Sequence, residues 1–465
     1  MDEKEKNFVY QHLKNLNNIC DCLRLHSPPM NRKRNSKKSK MKFWTIVSAM
    51  YVVYCGGPYG IEEVVAQSGP TLSIFGLIFM AIFWGIPGVL QNGELISAIP
   101  MEGGVYQWYK KSWGKYWGFQ LGWLEWLTWM FDAALYPTLL AEYFVIFIWP
   151  EAPFSFSWGL TLTVIWLTVF INIRGVKTMG PIFNFLIWFQ ILPVVLFIYY
   201  GIGHIDLNMY SSLHLPPGTD LSTALVFALI FGLWNFSGYS GLASAADEIE
   251  SVESNYPKAL MITLVLALIT YTLPLMVGIA SDPNWFIWNE AQLNLVALTL
   301  GGTAFAWWFS LAAQSANFGL INGEMLLMSR LLKSIADDGH IPSPISKKSD
   351  QFGTPIGALV TQGLVLSGMT FSMNFVDLLV VGTWMSIPLY VIGFFVFISL
   401  RYTQPNLHRP FKVPGGMIFP WIIVLIPTLI ALFIFIYTPN KYLMEAVPII
   451  LSGFVIHWGW NRFKS

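Results

Sequence analysis

The chain is short of charge. Only 11% of its 465 residues are Asp, Glu, Lys or Arg, while 55% are hydrophobic. Soluble domains carry about a quarter charged residues, so water is not the main solvent of this chain, and neither a soluble enzyme nor a nucleic-acid partner is expected. Cysteine is scarce too. Cys20, Cys22 and Cys55 are too few for a disulfide framework. Cys20 and Cys22 stand near His12 and His26, but no zinc-ligand spacing is matched; the pair reads as ordinary thiols, and no metal or cofactor is expected. The first 42 residues are polar and basic, without the apolar core of a cleavable leader. The first membrane helix is therefore expected to act as its own insertion signal. The apolar stretches also lack any His-rich, Cys-rich or Ser–His grouping, which leaves an intramembrane enzyme without a nucleophile, metal or acid–base set.

What the chain does have is a series of apolar runs of the roughly 20 residues that cross a bilayer as a helix. Twelve spans are read, at about 43–66, 71–93, 117–149, 155–173, 180–201, 221–247, 257–280, 297–328, 354–374, 376–400, 417–437 and 443–461. The third is long and is expected to tilt. The 21 Trp and 19 Tyr suit interfacial anchoring as well as packing inside the bundle. The placement of the basic residues tests the count, because cytoplasmic loops hold the Lys and Arg. With the N-terminus inside, 26 of the 27 fall in the inside loops and tails, and only Lys441 lies elsewhere. A missed span would scatter them. The fold class is thus an all-α polytopic membrane protein with both termini cytoplasmic, in the plasma or inner membrane. Residues 1–42 form a basic tail, 43–461 the membrane domain and 462–465 a short C-terminal tail. Within the first tail, Val9, Leu13, Leu16, Cys20 and Leu23 make an apolar helical stripe. It reads as a poorly ordered extension, with a surface or partner helix as the alternative; Met30 and Met41 offer alternative starts. The following Arg32, Lys33, Arg34, Lys37, Lys38, Lys40 and Lys42 read as an anchor facing anionic lipid.

Two spans are weak at their centres. The first contains Gly56-Gly57-Pro58-Tyr59-Gly60, and the sixth contains Asn235-Phe236-Ser237-Gly238-Tyr239-Ser240-Gly241. Glycine pairs and proline do not continue a regular helix, and irregular backbone at membrane depth is tolerated only where it is buried or lines a polar cavity. The breaks fall in the first helix of each five-helix half, spans 1–5 and 6–10, the position that marks the site of a secondary transporter built from inverted repeats. Close packing is the plainer alternative, since Pro87, Pro137, Pro193, Pro274 and Pro388 interrupt spans as well. At the first break, the free N–H end of the second half suits a carboxylate and the free carbonyls of the first half suit an ammonium, although Pro58 removes one donor.

Acidic residues inside the spans are costly, and by default point to a pathway or to coupling. Glu62, Glu63, Glu94, Glu125, Asp132, Glu142, Asp247, Glu248 and Glu324 are the candidates. Glu125 and Asp132 are seven apart and so share a helix face. With basic residues almost absent from the spans, no internal partner is expected for these acids. Glu62, Asp132 and Glu324 are read as coupling or cation-binding groups. The rival for each is a neutral carboxyl bonded to backbone. Glu94, Glu142, Asp247 and Glu248 are read as caps or interface residues. Trp234 and Tyr239 flank the second break, where they wall the cavity or offer a cation–π face; core packing is the alternative.

Several motifs together resemble a known family. They are Gly56-Gly57-Pro58-Tyr59-Gly60-Ile61-Glu62 with Gly69-Pro70, Gly118-Phe119-Gln120 with Gly122-Trp123, and Asp132-Ala133-Ala134-Leu135-Tyr136-Pro137. Glu248 with Tyr256-Pro257-Lys258-Ala259-Leu260 follows, then Ser329-Arg330-Leu331-Leu332 with Ala336, Asp338-Gly339 and Pro342. Phe352-Gly353-Thr354-Pro355 and Arg409-Pro410-Phe411-Lys412-Val413-Pro414 complete the set. From 43 to 460 the chain is similar to the amino acid–polyamine–organocation transporters, in their L-type and polyamine-uptake-like branch. The resemblance implies a five-plus-five inverted repeat with two further C-terminal helices, alternating access, and a small-molecule site between broken helices 1 and 6 and helices 3 and 8. Carried over, that site comprises Gly56, Gly57, Tyr59, Gly60, Glu62, Asp132, Trp234, Ser237, Tyr239 and Ser240. Two departures stand out. Polyamine-uptake members often have Trp-Asp where this chain has Tyr239-Ser240, and the helix-5 lysine that replaces sodium in some members is absent from 180–201. The expected function is a secondary active permease for amino acids, cationic ones in particular, coupled to protons or working by exchange. Polyamine transport is the alternative, followed by a non-transporting sensor of the same fold. Substrate, proton and membrane lipids are the expected partners; an accessory subunit is left open.

Overall fold

The computed structural model describes residues 40–464, except 150, 211, 289–291, 374 and 438–439. The apolar stripe over 8–25, Cys20 and Cys22, and the basic cluster before Lys40 lie outside the described residues, as does the side chain of Asp247. The described chain is helical, and its β-type pairing is the isolated bridge between Met41 and Ile249.

In order, the helices are α1 (Phe43–Tyr54), α2 (Glu63–Ser68), α3 (Pro70–Ala98), α4 (Val105–Ile148), α5 (Phe154–Ile173), α6 (Val176–Gly201) and α7 (Leu221–Asn235). After a 3-10 segment at Gly241–Glu248 come α8 (Val252–Ser281), α9 (Gln292–Asp337), α10 (Ile356–Ser372), α11 (Phe375–Thr403), α12 (Ile418–Tyr437) and α13 (Asn440–Lys464). Local chemistry explains several of the boundaries. Asp220 caps α7, its carboxylate accepting from the Ser222 and Thr223 amides at 3.1 and 3.2 Å. Pro70 opens α3, where its missing N–H is harmless. Two of these ranges are each a pair of helices meeting at a kink, α4 at Gly114 and α9 at Gly302, where φ is +84° and +76°.

Pro137, Pro193, Pro274 and Pro388 all lie inside continuous helices, and Pro87 follows a π-turn at Ala81–Gly85 within α3. These prolines bend helices and break none, because neighbouring helices and local adjustments re-satisfy the freed groups. Buried hydroxyls such as Thr168 and Thr370 bond back to carbonyls four residues earlier. Among the described residues, seven helices are long and apolar enough, by length and composition, to cross a membrane. Their outward faces carry large exposed apolar side chains, among them Trp188, Tyr199 and Leu429, as lipid contact demands.

The broken helix α1 lies at the centre, packed by α6, α8 and α9, while α4 is clasped between α9 and α11. At one end of the bundle the acids meet basic residues. Glu94, at the end of α3, accepts from Arg401 Nε at 2.9 Å, from the Val413 amide at 2.7 Å and from Arg409 Nε at 3.1 Å. Arg330 pairs with Glu248 at 2.7 Å. Lys333 reaches Asp337 at 2.7 Å and Glu102 at 3.5 Å, and Lys110 reaches Asp338 at 2.6 Å. The expectation of unpartnered acids is therefore corrected for Glu94 and Glu248. Their partners come from the ends of distant helices, which linear spacing does not reveal. Burial tends to raise the Asp338 carboxyl, but hydrogen bonds from Lys110 and Tyr106 outweigh it and hold it below the ordinary range. Its contribution is present at neutral pH and fades only in acid below that range.

The Glu94 cluster is almost fully buried, with side-chain exposures of 1% for Glu94 and 4% for Arg401. Removing one member of such a pair strands the other charge at a cost of about 3–5 kcal/mol, whereas a half-exposed pair contributes under about 1 kcal/mol. Glu94→Gln is expected to lower the thermal midpoint of the detergent-purified protein clearly, and Lys110→Met only slightly. Equal shifts would contradict the ranking.

Candidate substrate cavity

The first break is built from backbone conformation. The amides of Cys55 and Gly56 both bond Tyr51 O, closing the last turn of α1. Gly56 and Gly57 then take φ of +61° and +100°, values that side chains with a Cβ rarely adopt. A Cβ on Gly57 would also stand 2.7 Å from the Tyr59 ring. The second break follows Asn235, with Gly238 at φ +86°. Beyond it the chain continues as a 3-10 segment with a kink at Ala245, not as the α-helix read from the sequence; Gly238 and Gly241 weaken the α-helix there.

Side chains from other helices satisfy the groups freed by the breaks. Tyr271 donates to Cys55 O at 2.7 Å, Tyr256 donates to Tyr239 O at 2.7 Å, and the Leu242 amide donates to the Tyr54 hydroxyl. The Gly60 amide donates to Glu62 Oε2 at 2.8 Å. Two carbonyls expected to be free for an ammonium are thus already occupied.

Between the breaks, α4, α9 and α11 lies a cavity whose empty space, including its open part, is about 880 Å³. Of the residues singled out in the sequence, Tyr59, Asp132, Trp234, Ser237 and Glu324 line it. Tyr239 and Ser240 line a second compartment. Gly56, Gly57, Gly60 and Glu62 lie in the buried break itself and line neither. Sequence reasoning missed Tyr136, Asn317, Thr383, Ser386 and Tyr390 as wall residues. A signal was present for them: Tyr136 is one turn from Asp132, Asn317 is two turns from Glu324, and Thr383, Ser386 and Tyr390 form a polar stripe at helical spacing on an apolar span. Tyr271 on α8 had no such signal.

The charges are arranged simply. Asp132 accepts from Trp234 Nε1 at 2.8 Å and from Tyr136 Oη at 2.9 Å. Glu324, only 1% exposed, stands beside Asp132 and Tyr136, close enough to feel the Asp132 charge, though neither of its oxygens makes a hydrogen bond of full geometry among the described residues. No lining residue is Lys, Arg or His. A buried carboxyl beside a half-buried one, with no basic residue among the described residues of the wall, favours a proton or a cationic ligand there. Asn317 Nδ2 and Thr128 Oγ1 are further wall atoms without a partner.

A family model described as amino acid permease matches residues 41–459. The chain belongs to the amino acid permease family. It is a transporter, in the polyamine-uptake-like branch of the amino acid–polyamine–organocation superfamily. Similar proteins include a probable polyamine transporter of Arabidopsis thaliana, 29% identical over 93% of this chain and 85% of the relative. A probable agmatine/putrescine antiporter of Lactococcus lactis is 25% identical over 90% of this chain and 93% of its own length. The human Asc-type amino acid transporter 1 is 28% identical over 79% and 72% respectively. The permease thus has relatives named for amines and for amino acids.

Because the Gly57 conformation holds Tyr59 on the cavity wall, Gly57→Ala is expected to cut the permease's uptake at least about ten-fold while leaving its membrane abundance intact. Uptake scaled to surface-labelled protein checks this. Wild-type rates in the variant would show that the break tolerates a Cβ.

Proposed function

We propose that this permease carries cationic amines across the membrane by alternating access, with the substrate ammonium seated on the Asp132–Glu324 pair. The observation that carries the reading is the pair itself: the buried Glu324 beside the half-buried Asp132, on a wall with no basic side chain among the described residues. When the substrate leaves, a proton on the pair offsets the repulsion, which suits proton coupling; a second cation offsets it equally well, which suits exchange.

Linear polyamines are the favoured class. A substrate carboxylate would need donors at the first break, where Pro58 has no N–H and the Gly60 N–H already serves Glu62. Glu62 thus acts by capping the break. The missing acid at Ser240 argues less against a polyamine once the fold is known, because the Glu125 carboxylate lies 3.4 Å from Ser240 Oγ. Cationic amino acids are the second reading, favoured by Asn317 Nδ2, an unpartnered donor on the same wall that suits a carboxylate.

The rest of the proposal concerns architecture. The seven long and four shorter apolar helices among the described residues, with the Trp-rich α4, support the reading of twelve spans, and the breaks in α1–α2 and after α7 support a five-plus-five inverted repeat with two further helices. The ion pairs gather at the end that the charge distribution assigns to the cytoplasm, with both termini inside and the plasma or inner membrane as the site of action.

Uptake of spermidine, arginine and leucine by purified protein in liposomes tests the reading. A charge-assisted hydrogen bond contributes about 1.5–3 kcal/mol, so Asp132→Asn and Glu324→Gln are each expected to reduce uptake of the cationic substrates at least about ten-fold. Asn317→Leu is expected to spare spermidine and impair arginine. Unchanged uptake of all three substrates in both carboxyl variants would refute the assigned role.

A further inference from the structure

The second compartment holds about 530 Å³ of empty space, including its open part. Its wall includes Trp84, Gln91, Tyr109, Glu125 and Ser240, and it shares Ser237, Gly238 and Tyr390 with the first cavity. The second helix break is therefore the partition between two compartments. Glu125 is 4% exposed and accepts only from neutral donors: Trp129 Nε1 at 3.1 Å, Tyr109 Oη at 3.3 Å and Ser240 Oγ at 3.4 Å. No Lys, Arg or His lines this compartment either. Gln91, 6% exposed, makes no hydrogen bond among the described residues while lining the same wall. Its amide therefore offers a donor and an acceptor to a ligand in this compartment.

Glu125 and Asp132 are seven residues apart on one face of α4, a rise of about 10 Å. Two carboxylates at that separation, in compartments that share the Ser237–Gly238 and Tyr390 wall, match a linear chain with an ammonium at each end. We propose that Glu125 and Gln91 form a second cation subsite, which takes the far ammonium of a substrate whose first ammonium sits at Asp132–Glu324. The subsite then selects substrates by the distance between their charges: short monoamines occupy only the first cavity, while diamines of sufficient length bridge the partition at Ser237–Gly238. This inference rests on the amine reading of the first cavity.

The test is binding and uptake of butylamine and of α,ω-diamines of increasing chain length, by calorimetry and in liposomes, for wild type, Glu125→Gln and Gln91→Leu. Loss of one charge-assisted hydrogen bond is expected to weaken the longer diamines at least about ten-fold in Glu125→Gln. Butylamine should stay within about two-fold, and Gln91→Leu should show the same length dependence with a smaller loss. Equal losses for butylamine and diamines, or no loss for either, would overturn the subsite while leaving the amine reading standing. A wild-type protein that binds no amine overturns both. Should Glu125→Gln fail to fold, Gln91→Leu carries the same comparison, because it leaves every bond of Glu125 in place.

Discussion

A helix interrupted inside a bilayer exposes carbonyl and amide groups that hydrocarbon cannot satisfy, and the centre of this molecule is organised around answering that demand. At the first break the partners are Tyr271 on the Cys55 carbonyl and Glu62 on the Gly60 amide. At the second they are Tyr256 on the Tyr239 carbonyl and Tyr54 on the Leu242 amide. The two breaks are cross-braced: Tyr54 closes α1 and reaches across to the segment after α7, so moving one break strains the other. The cavity is bounded by these cross-braced segments.

The acids divide into two populations with opposite logic. Glu94 and Glu248 lie at helix ends and meet Arg401, Arg409 and Arg330 in buried pairs that tie distant helices together. Asp132, Glu324 and Glu125 lie on cavity walls without a basic neighbour, held by neutral Trp, Tyr and Ser donors or by none. A neutral donor orients a carboxylate without cancelling its charge, so the second population stays available to a mobile cation.

Much of this was legible in the sequence. Gly56-Gly57-Pro58 announced the first break, because no other residues make that local conformation so readily. Asp132 and Glu324 stood out as charges in apolar spans, and their place on one cavity wall follows from helical spacing once α4 and α9 are neighbours. The partners of Glu94 and Glu248 were not legible, since Arg401 is 307 positions from Glu94 and only the fold joins them. For Glu62 the sequence left a coupling carboxyl and a carboxyl bonded to backbone side by side, and the backbone path adds the bond from the Gly60 amide. The 3-10 form of Gly241–Glu248 and the reach of Glu125 to Ser240 likewise arise from packing between helices.

The central claim is that two unneutralised carboxyls, Asp132 and Glu324, make the cavity a site for cations. Calorimetric titration of the purified wild-type protein with putrescine, spermidine, arginine and leucine tests it most directly. The account predicts saturable binding of the cationic ligands, accompanied by a measurable exchange of protons with buffer as the pair gives up its proton, and no binding of leucine. Tight binding of leucine with no response to the amines would contradict it.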